Sequence, residues 1–115
     1  MEESFMATVI ELTPELCESV TSQKGVVVLY FRADWCGFCK TMGRIIDQVV
    51  EETPPELLIA KCNIEKCAEC AAAYEVTSIP RMVIFKDGNE IKRINSSIGK
   101  GALLNELLPL LKEAQ

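Results

Sequence analysis

Val26-Val27-Val28-Leu29-Tyr30-Phe31-Arg32-Ala33-Asp34-Trp35-Cys36-Gly37-Phe38-Cys39-Lys40 decides the fold. Val26 to Phe31 has no alternation of polar and apolar residues, which marks a central strand covered on both faces. After the segment Arg32 to Phe38, Met42, Ile45, Ile46, Val49 and Val50 recur at helical spacing, with Lys40, Arg44, Asp47 and Glu51 on the other side. A buried strand feeding an amphipathic helix is a βα unit, and two cysteines stand where the one becomes the other.

The flanks extend this unit. Upstream, Thr8 to Leu12 reads as a short strand. Thr13-Pro14-Glu15 then supplies an N-cap, a proline at the first helical position and an acid in the first turn of a helix through about Ser22. Downstream, Thr53-Pro54-Pro55 stops the amphipathic helix and Leu57 to Asn63 is a second central strand. Cys67 to Tyr74 is alanine-rich and helical. Arg81 to Lys86 is a strand joined to Glu90 to Ile94 through Asp87-Gly88-Asn89. A last helix opens at Lys100 or Gly101 and carries Leu103, Leu104, Leu107, Leu108 and Leu111 along one face. The order β-α-β-α-β-α-β-β-α predicts an α/β fold with helices on both faces of one central mixed sheet.

Composition agrees. With 115 residues, 49% of them hydrophobic, 25% charged and a net charge of -5, the chain suits one folded domain over 1–115 and excludes a disordered one. Six cysteines and no histidine restrict the chemistry to thiols, carboxylates and amines, because every Ser-His or Cys-His device lacks its imidazole. A sequence pI of about 4.8 argues against nucleic acid and anionic membrane surfaces as partners. Met1-Glu2-Glu3-Ser4 starts no secretory leader, and the run Val26 to Phe31 is far too short to span a membrane, so a cytoplasmic location is expected.

Cys36 and Cys39 can close a small disulfide ring. The unpaired amides and positive end of the helix stabilise negative charge on the first sulfur, lowering the Cys36 pKa from about 8.5 toward neutral or below. Cys36 is therefore the expected attacking thiolate. Cys39, one turn into the helix, is placed to attack the mixed disulfide and release the reduced client. Trp35, beside Cys36, is expected to be a partly exposed contact surface for clients.

Over essentially its whole length the chain resembles the thioredoxin family. The resemblance rests on Trp35-Cys36-Gly37-Phe38-Cys39-Lys40 after a buried strand, Lys61 in the next strand, and Ser78-Ile79-Pro80 before the strand from Met82 to Phe85. The Lys86-Asp87-Gly88 turn and the leucine-rich final helix complete it. It implies the thioredoxin fold, protein disulfide reductase activity through a redox-active Cys36–Cys39 disulfide, and a cis peptide bond before Pro80. It further implies that Ile79 and Pro80, with Trp35, Gly37 and Phe38, bind the client, and that Lys61 is a cation near the thiols with a part in proton handling. The electron donor it implies is an NADPH-dependent thioredoxin reductase. Disulfide-containing proteins are the implied clients, with no cofactor and a monomeric chain.

Two departures matter most. Phe38 stands where proline is usual, restoring a backbone donor and adding an aromatic ring beside the reacting sulfur. Tyr30 stands where the family has a buried carboxylate, and a phenol with a pKa near 10 is a poor base at neutral pH. Arg44, Arg81 and Ser96 also differ from the common residues at their places. A disulfide oxidase or isomerase and a docking module with incidental thiols are the competing readings.

Cys67-Ala68-Glu69-Cys70 is a second C-x-x-C. Paired with Cys36 and Cys39 it has the count for a four-thiolate zinc or iron–sulfur site, but the two pairs are not expected to converge, and no metal is expected. Cys17 and Cys62 read as core residues. Cys67 is expected to be the most reactive thiol outside the active site, with a Cys67–Cys70 disulfide as a candidate regulatory switch against two ordinary helix cysteines.

Overall fold

A computed structural model describes residues 5–113. Their elements are β1 (Thr8–Glu11), a 3-10 turn (Pro14–Leu16), α1 (Cys17–Ser22), β2 (Val26–Arg32), α2 (Gly37–Val50), β3 (Leu57–Asn63), α3 (Ala68–Ala73), β4 (Arg81–Lys86), β5 (Asn89–Ile94) and α4 (Lys100–Glu113). The order along the sheet is β1-β3-β2-β4-β5. β1, β3 and β2 are parallel, and β4 and β5 complete the sheet antiparallel.

β2 explains the layering. Its side chains alternate in direction, so Val26, Val28 and Tyr30 face α2 and α4, while Val27, Leu29 and Phe31 face α1 and α3. Both sets are buried, which is why the strand carries no polar alternation. On the first face Met42, Ile46 and Val49 of α2 pack with Leu103, Leu107 and Leu111 of α4. On the second, Val20 of α1 and Cys70 and Ala71 of α3 pack with Ala60 and Cys62 of β3.

Small differences from the sequence reading have local causes. β1 ends at Glu11; the Leu12 amide still donates to the Lys61 carbonyl at 2.8 Å, while its side chain turns into the core. Thr13 occupies the N-cap without a side-chain bond. Leu108 is 44% exposed, because α4 turns its Leu103/Leu107/Leu111 row to the sheet, with Leu104 partly buried beside it. Asp87 and Gly88 both have positive φ, at 51° and 86°, as a two-residue hairpin turn requires. A β-carbon on Gly88 would also meet the Ser22 carbonyl oxygen at 3.3 Å. Among the described residues no helix is long and apolar enough to cross a membrane.

Candidate active site

The carboxyl end of β2 delivers the chain to the site. After Arg32 the backbone turns, with the Cys36 amide donating to the Ala33 carbonyl at 3.2 Å, and α2 begins at Gly37. Cys36 is the N-cap, in extended conformation (φ -91°, ψ 110°), and its Sγ accepts the Cys39 amide at 3.1 Å. A sulfur thus takes the place of the usual capping oxygen and receives one of the unpaired amides of the first turn.

Cys36 and Cys39 are joined in a disulfide, with Cα atoms 5.2 Å apart. Both residues are nearly buried, packed with Ala33 against Ile64 and Ile79, and Cys36 is the more exposed at 7% against 2%. Trp35 and Phe38 flank them at 68% and 73% exposure, so the ring is set into a rim of unsupported aromatic surface. The Ile79–Pro80 bond is cis. Ser97 Oγ donates to the Phe38 carbonyl at 3.2 Å, tying the segment before α4 to the start of α2.

Below Cys39 a cavity of about 480 Å³ is lined by Tyr30, Arg44, Asp47 and Lys61 among others. Lys61 Nζ pairs with Asp47 at 3.3 Å. Sequence alone does not join these two, since nothing local links a residue on the polar face of α2 to one on β3. Tyr30 Oη donates to the Cys39 carbonyl at 2.5 Å. Burial pushes the phenol up to about 12, opposed by Arg32 and reinforced by Asp47, so it remains a donor throughout the neutral range.

That shift has a sign. Below pH 10 the phenol is protonated in both folded and unfolded chains, and its full contribution to stability is present. Between pH 10 and 12 the unfolded chain loses this proton first, so stability falls as pH rises. Tyr30→Phe should lower stability at neutral pH by about 1 kcal/mol through the lost hydrogen bond. It should also flatten the alkaline fall of the urea midpoint; an unchanged alkaline limb would show that Tyr30 does not set it.

Of the other cysteines, Cys62 lies in the core as read from the sequence, and Cys17, Cys67 and Cys70 differ. Cys17 is bonded to Cys70, with Cα atoms 6.0 Å apart, so Cys17 is not a plain core residue and Cys70 is not paired with Cys67. Cys67 and Cys62 are free thiols, both 0% exposed. The expectation that Cys67 is an accessible reactive thiol therefore fails: at the N-cap of α3 its side chain turns inward toward Cys62, while Cys70, one turn on, faces α1. Burial and the neighbouring Cys67 push the Cys62 thiol well above the ordinary range.

The chemistry open to Cys36 and Cys39 sets the class. Two sulfurs able to close a ring disulfide can exchange electrons with other thiols, which is the chemistry of a thiol–disulfide oxidoreductase. Residues 8–108 match the family model described as Thioredoxin. A thioredoxin from Mycobacterium bovis is 35% identical over 108 residues, 93% of each chain. A bifunctional thioredoxin reductase/thioredoxin from Mycobacterium leprae is 36% identical over 88 residues, 76% of this chain and 19% of that one. A solved mutant thioredoxin from Halobacterium salinarum NRC-1 shares the fold, with a TM-score of 0.83, 24% identity and 96% of each chain covered. The chain belongs to the thioredoxin family.

Proposed function

We propose that this chain reduces protein disulfides by two successive exchanges at Cys36 and Cys39. The observation that carries the reading is the Cys39 amide on Cys36 Sγ at the start of α2, since the same donor stabilises a thiolate once the ring is opened. In the reduced chain the Cys36 thiolate attacks one sulfur of a client disulfide. A Cys36–client bond forms and the other client sulfur leaves as thiolate. The Cys39 thiolate then attacks Cys36 Sγ, the second client sulfur leaves, and the Cys36–Cys39 disulfide results. Two electrons have passed to the client.

Trp35, Gly37, Phe38, Ile79 and Pro80 form the client surface in this reading, supported by the exposure of the two aromatic rings around nearly buried cysteines. Ile79 offers its backbone to an extended client segment. Lys61 lends a positive charge beside the cavity under Cys39 and assists deprotonation of the resolving thiol. The electron donor is an NADPH-dependent thioredoxin reductase, a pairing supported by the bifunctional M. leprae relative. The chain acts as a single-domain monomer in the cytoplasm, without nucleic acid.

The test is NADPH oxidation in the presence of a thioredoxin reductase and a disulfide-bonded protein. Turnover that requires all three components supports the reading; its absence with any competent reductase overturns it. Trp35→Ala should lower kcat/KM for the protein client about tenfold while leaving reduction of a small-molecule disulfide within about twofold, because only the large client covers the indole. Equal losses on both substrates would place Trp35 in the chemistry instead of the docking surface.

A further inference from the structure

On the face of the sheet covered by α1 and α3, three sulfurs lie together and a fourth is bonded to one of them. Cys17 begins α1, Cys62 lies in β3, and Cys67 and Cys70 are the N-cap and third residue of α3. The sulfurs of Cys62, Cys67 and Cys70 all lie within 4.8 Å of one another, and Cys17 is bonded to Cys70. We propose that opening the Cys17–Cys70 bond converts this cluster into a tetrahedral zinc site with Cys17, Cys62, Cys67 and Cys70 as its four thiolate ligands.

Geometry and chemistry both favour that ion. Zinc–sulfur bonds of about 2.3 Å in a tetrahedron hold sulfurs about 3.8 Å apart, so the buried trio, within 4.8 Å of one another, has at most about 1 Å to close. Cys67 and Cys70 have the C-x-x-C spacing common in structural zinc sites, and with no histidine in the chain the site is all sulfur. The spacing Cys62-x4-Cys67-x2-Cys70 also occurs around plant-type [2Fe–2S] clusters. Such a cluster spreads its ligands over two irons, with one pair standing apart from the other, whereas three mutually close sulfurs suit a single ion. An entry path exists: a cavity of about 320 Å³ opens over Cys17 and Cys70 and is lined by Glu18 and Glu69, whose carboxylates attract a cation.

The steps balance with one co-reactant, a dithiol reductant. The dithiol takes up the oxidised state as its own disulfide and leaves Cys17 and Cys70 as thiols. A zinc ion then displaces four thiol protons, forming four Zn–S bonds and a site of net charge −2. Reoxidation by a disulfide joins Cys17 to Cys70, transfers two electrons to that oxidant and releases the ion, because two thiolates no longer suffice. The disulfide and the metal are thus alternative links between α1 and α3. The proposal rests on the fold and this cluster, independently of the roles of Cys36 and Cys39.

The test uses the full chain, reduced with a phosphine and titrated anaerobically with cobalt(II) and then zinc. One cobalt per chain is expected, with the intense visible bands of a tetrahedral tetrathiolate, displaced by one equivalent of zinc. A Cys36→Ser/Cys39→Ser chain should bind equally well and the oxidised chain should not bind. Cys62→Ser and Cys67→Ser should each weaken zinc binding by more than about 100-fold, beyond the loss caused by removing a merely supporting residue. Binding that disappears with Cys36 and Cys39, equal binding by the oxidised chain, or co-purifying iron and sulfide overturns the proposal. Where a serine variant fails to fold, the cobalt spectrum of the unsubstituted reduced chain decides: fewer than four thiolates, or no binding, overturns it.

Discussion

Cys36→Ser is expected to abolish protein disulfide reduction, with turnover falling at least about 1,000-fold, because a hydroxyl at neutral pH supplies almost no anionic nucleophile. Cys39→Ser is expected to give an equally inactive enzyme with a different signature. Its first attack survives, so a covalent adduct between Cys36 and one client sulfur accumulates, visible as a one-to-one product on a non-reducing gel and removed by added thiol. The contrast follows from position: Cys36 is the more exposed of the two and caps the helix, while Cys39 lies behind it at 2% exposure. Near wild-type turnover by Cys36→Ser would refute the mechanism. Adducts formed through Cys39 in place of Cys36 would reverse the two roles.

What makes the site readable is locality. Trp35 through Lys40 is contiguous, and the helix that Cys36 caps begins within the same stretch, so spacing alone links cysteine to helix terminus. The fold is legible for a similar reason: the unbroken apolar run of β2 and the 3.6-residue period of α2 each fix one element, and the Asp87-Gly88 turn fixes the β4–β5 hairpin. The final helix reads slightly too broadly from its sequence: Leu103, Leu107 and Leu111 enter the core and Leu104 packs partly against it, and only packing against the sheet leaves Leu108 outside. Pairings between distant residues leave no such trace. Lys61 and Asp47 meet across the α2–β3 connection, and Tyr30 reaches the Cys39 carbonyl only because β2 directs it toward α2.

The second C-x-x-C shows how local spacing misleads. Cys67 and Cys70 are three residues apart in sequence, as Cys36 and Cys39 are, and their sulfurs lie within 4.8 Å, yet no bond joins them. Cys67 caps the helix and turns to β3, and Cys70 finds a partner 53 residues away. No property of the Cys67–Cys70 segment distinguishes that outcome from a local ring. It depends on α1 lying beside α3, where the hydroxyl of Tyr74, the C-cap of α3, also donates to Thr21 Oγ1 at 2.7 Å.

Removing the long-range bond should produce the largest stability change open to this chain outside its core. A cross-link with a sequence separation of 53 restricts the unfolded chain by about 4 kcal/mol of loop-closure entropy, whereas the separation of 3 at Cys36–Cys39 gives under about 2 kcal/mol on the same scaling. The inequality suits their different positions: opening the Cys36–Cys39 ring should cost the fold little, while Cys17–Cys70 holds the six-residue α1 to α3. A Cys17→Ala/Cys70→Ala chain, studied oxidised at Cys36–Cys39 and with a chelator present to exclude metal, should therefore lose about 3–4 kcal/mol. Its Tm should fall by roughly 15 °C. The urea m-value should rise slightly, since the unfolded chain is released to expand. Hydrogen exchange should speed first in α1 and α3, the elements the bond joins. A loss below about 1 kcal/mol would show that the bond does not restrain the unfolded chain, and uniform exchange across all four helices would show that α1 and α3 do not depend on it.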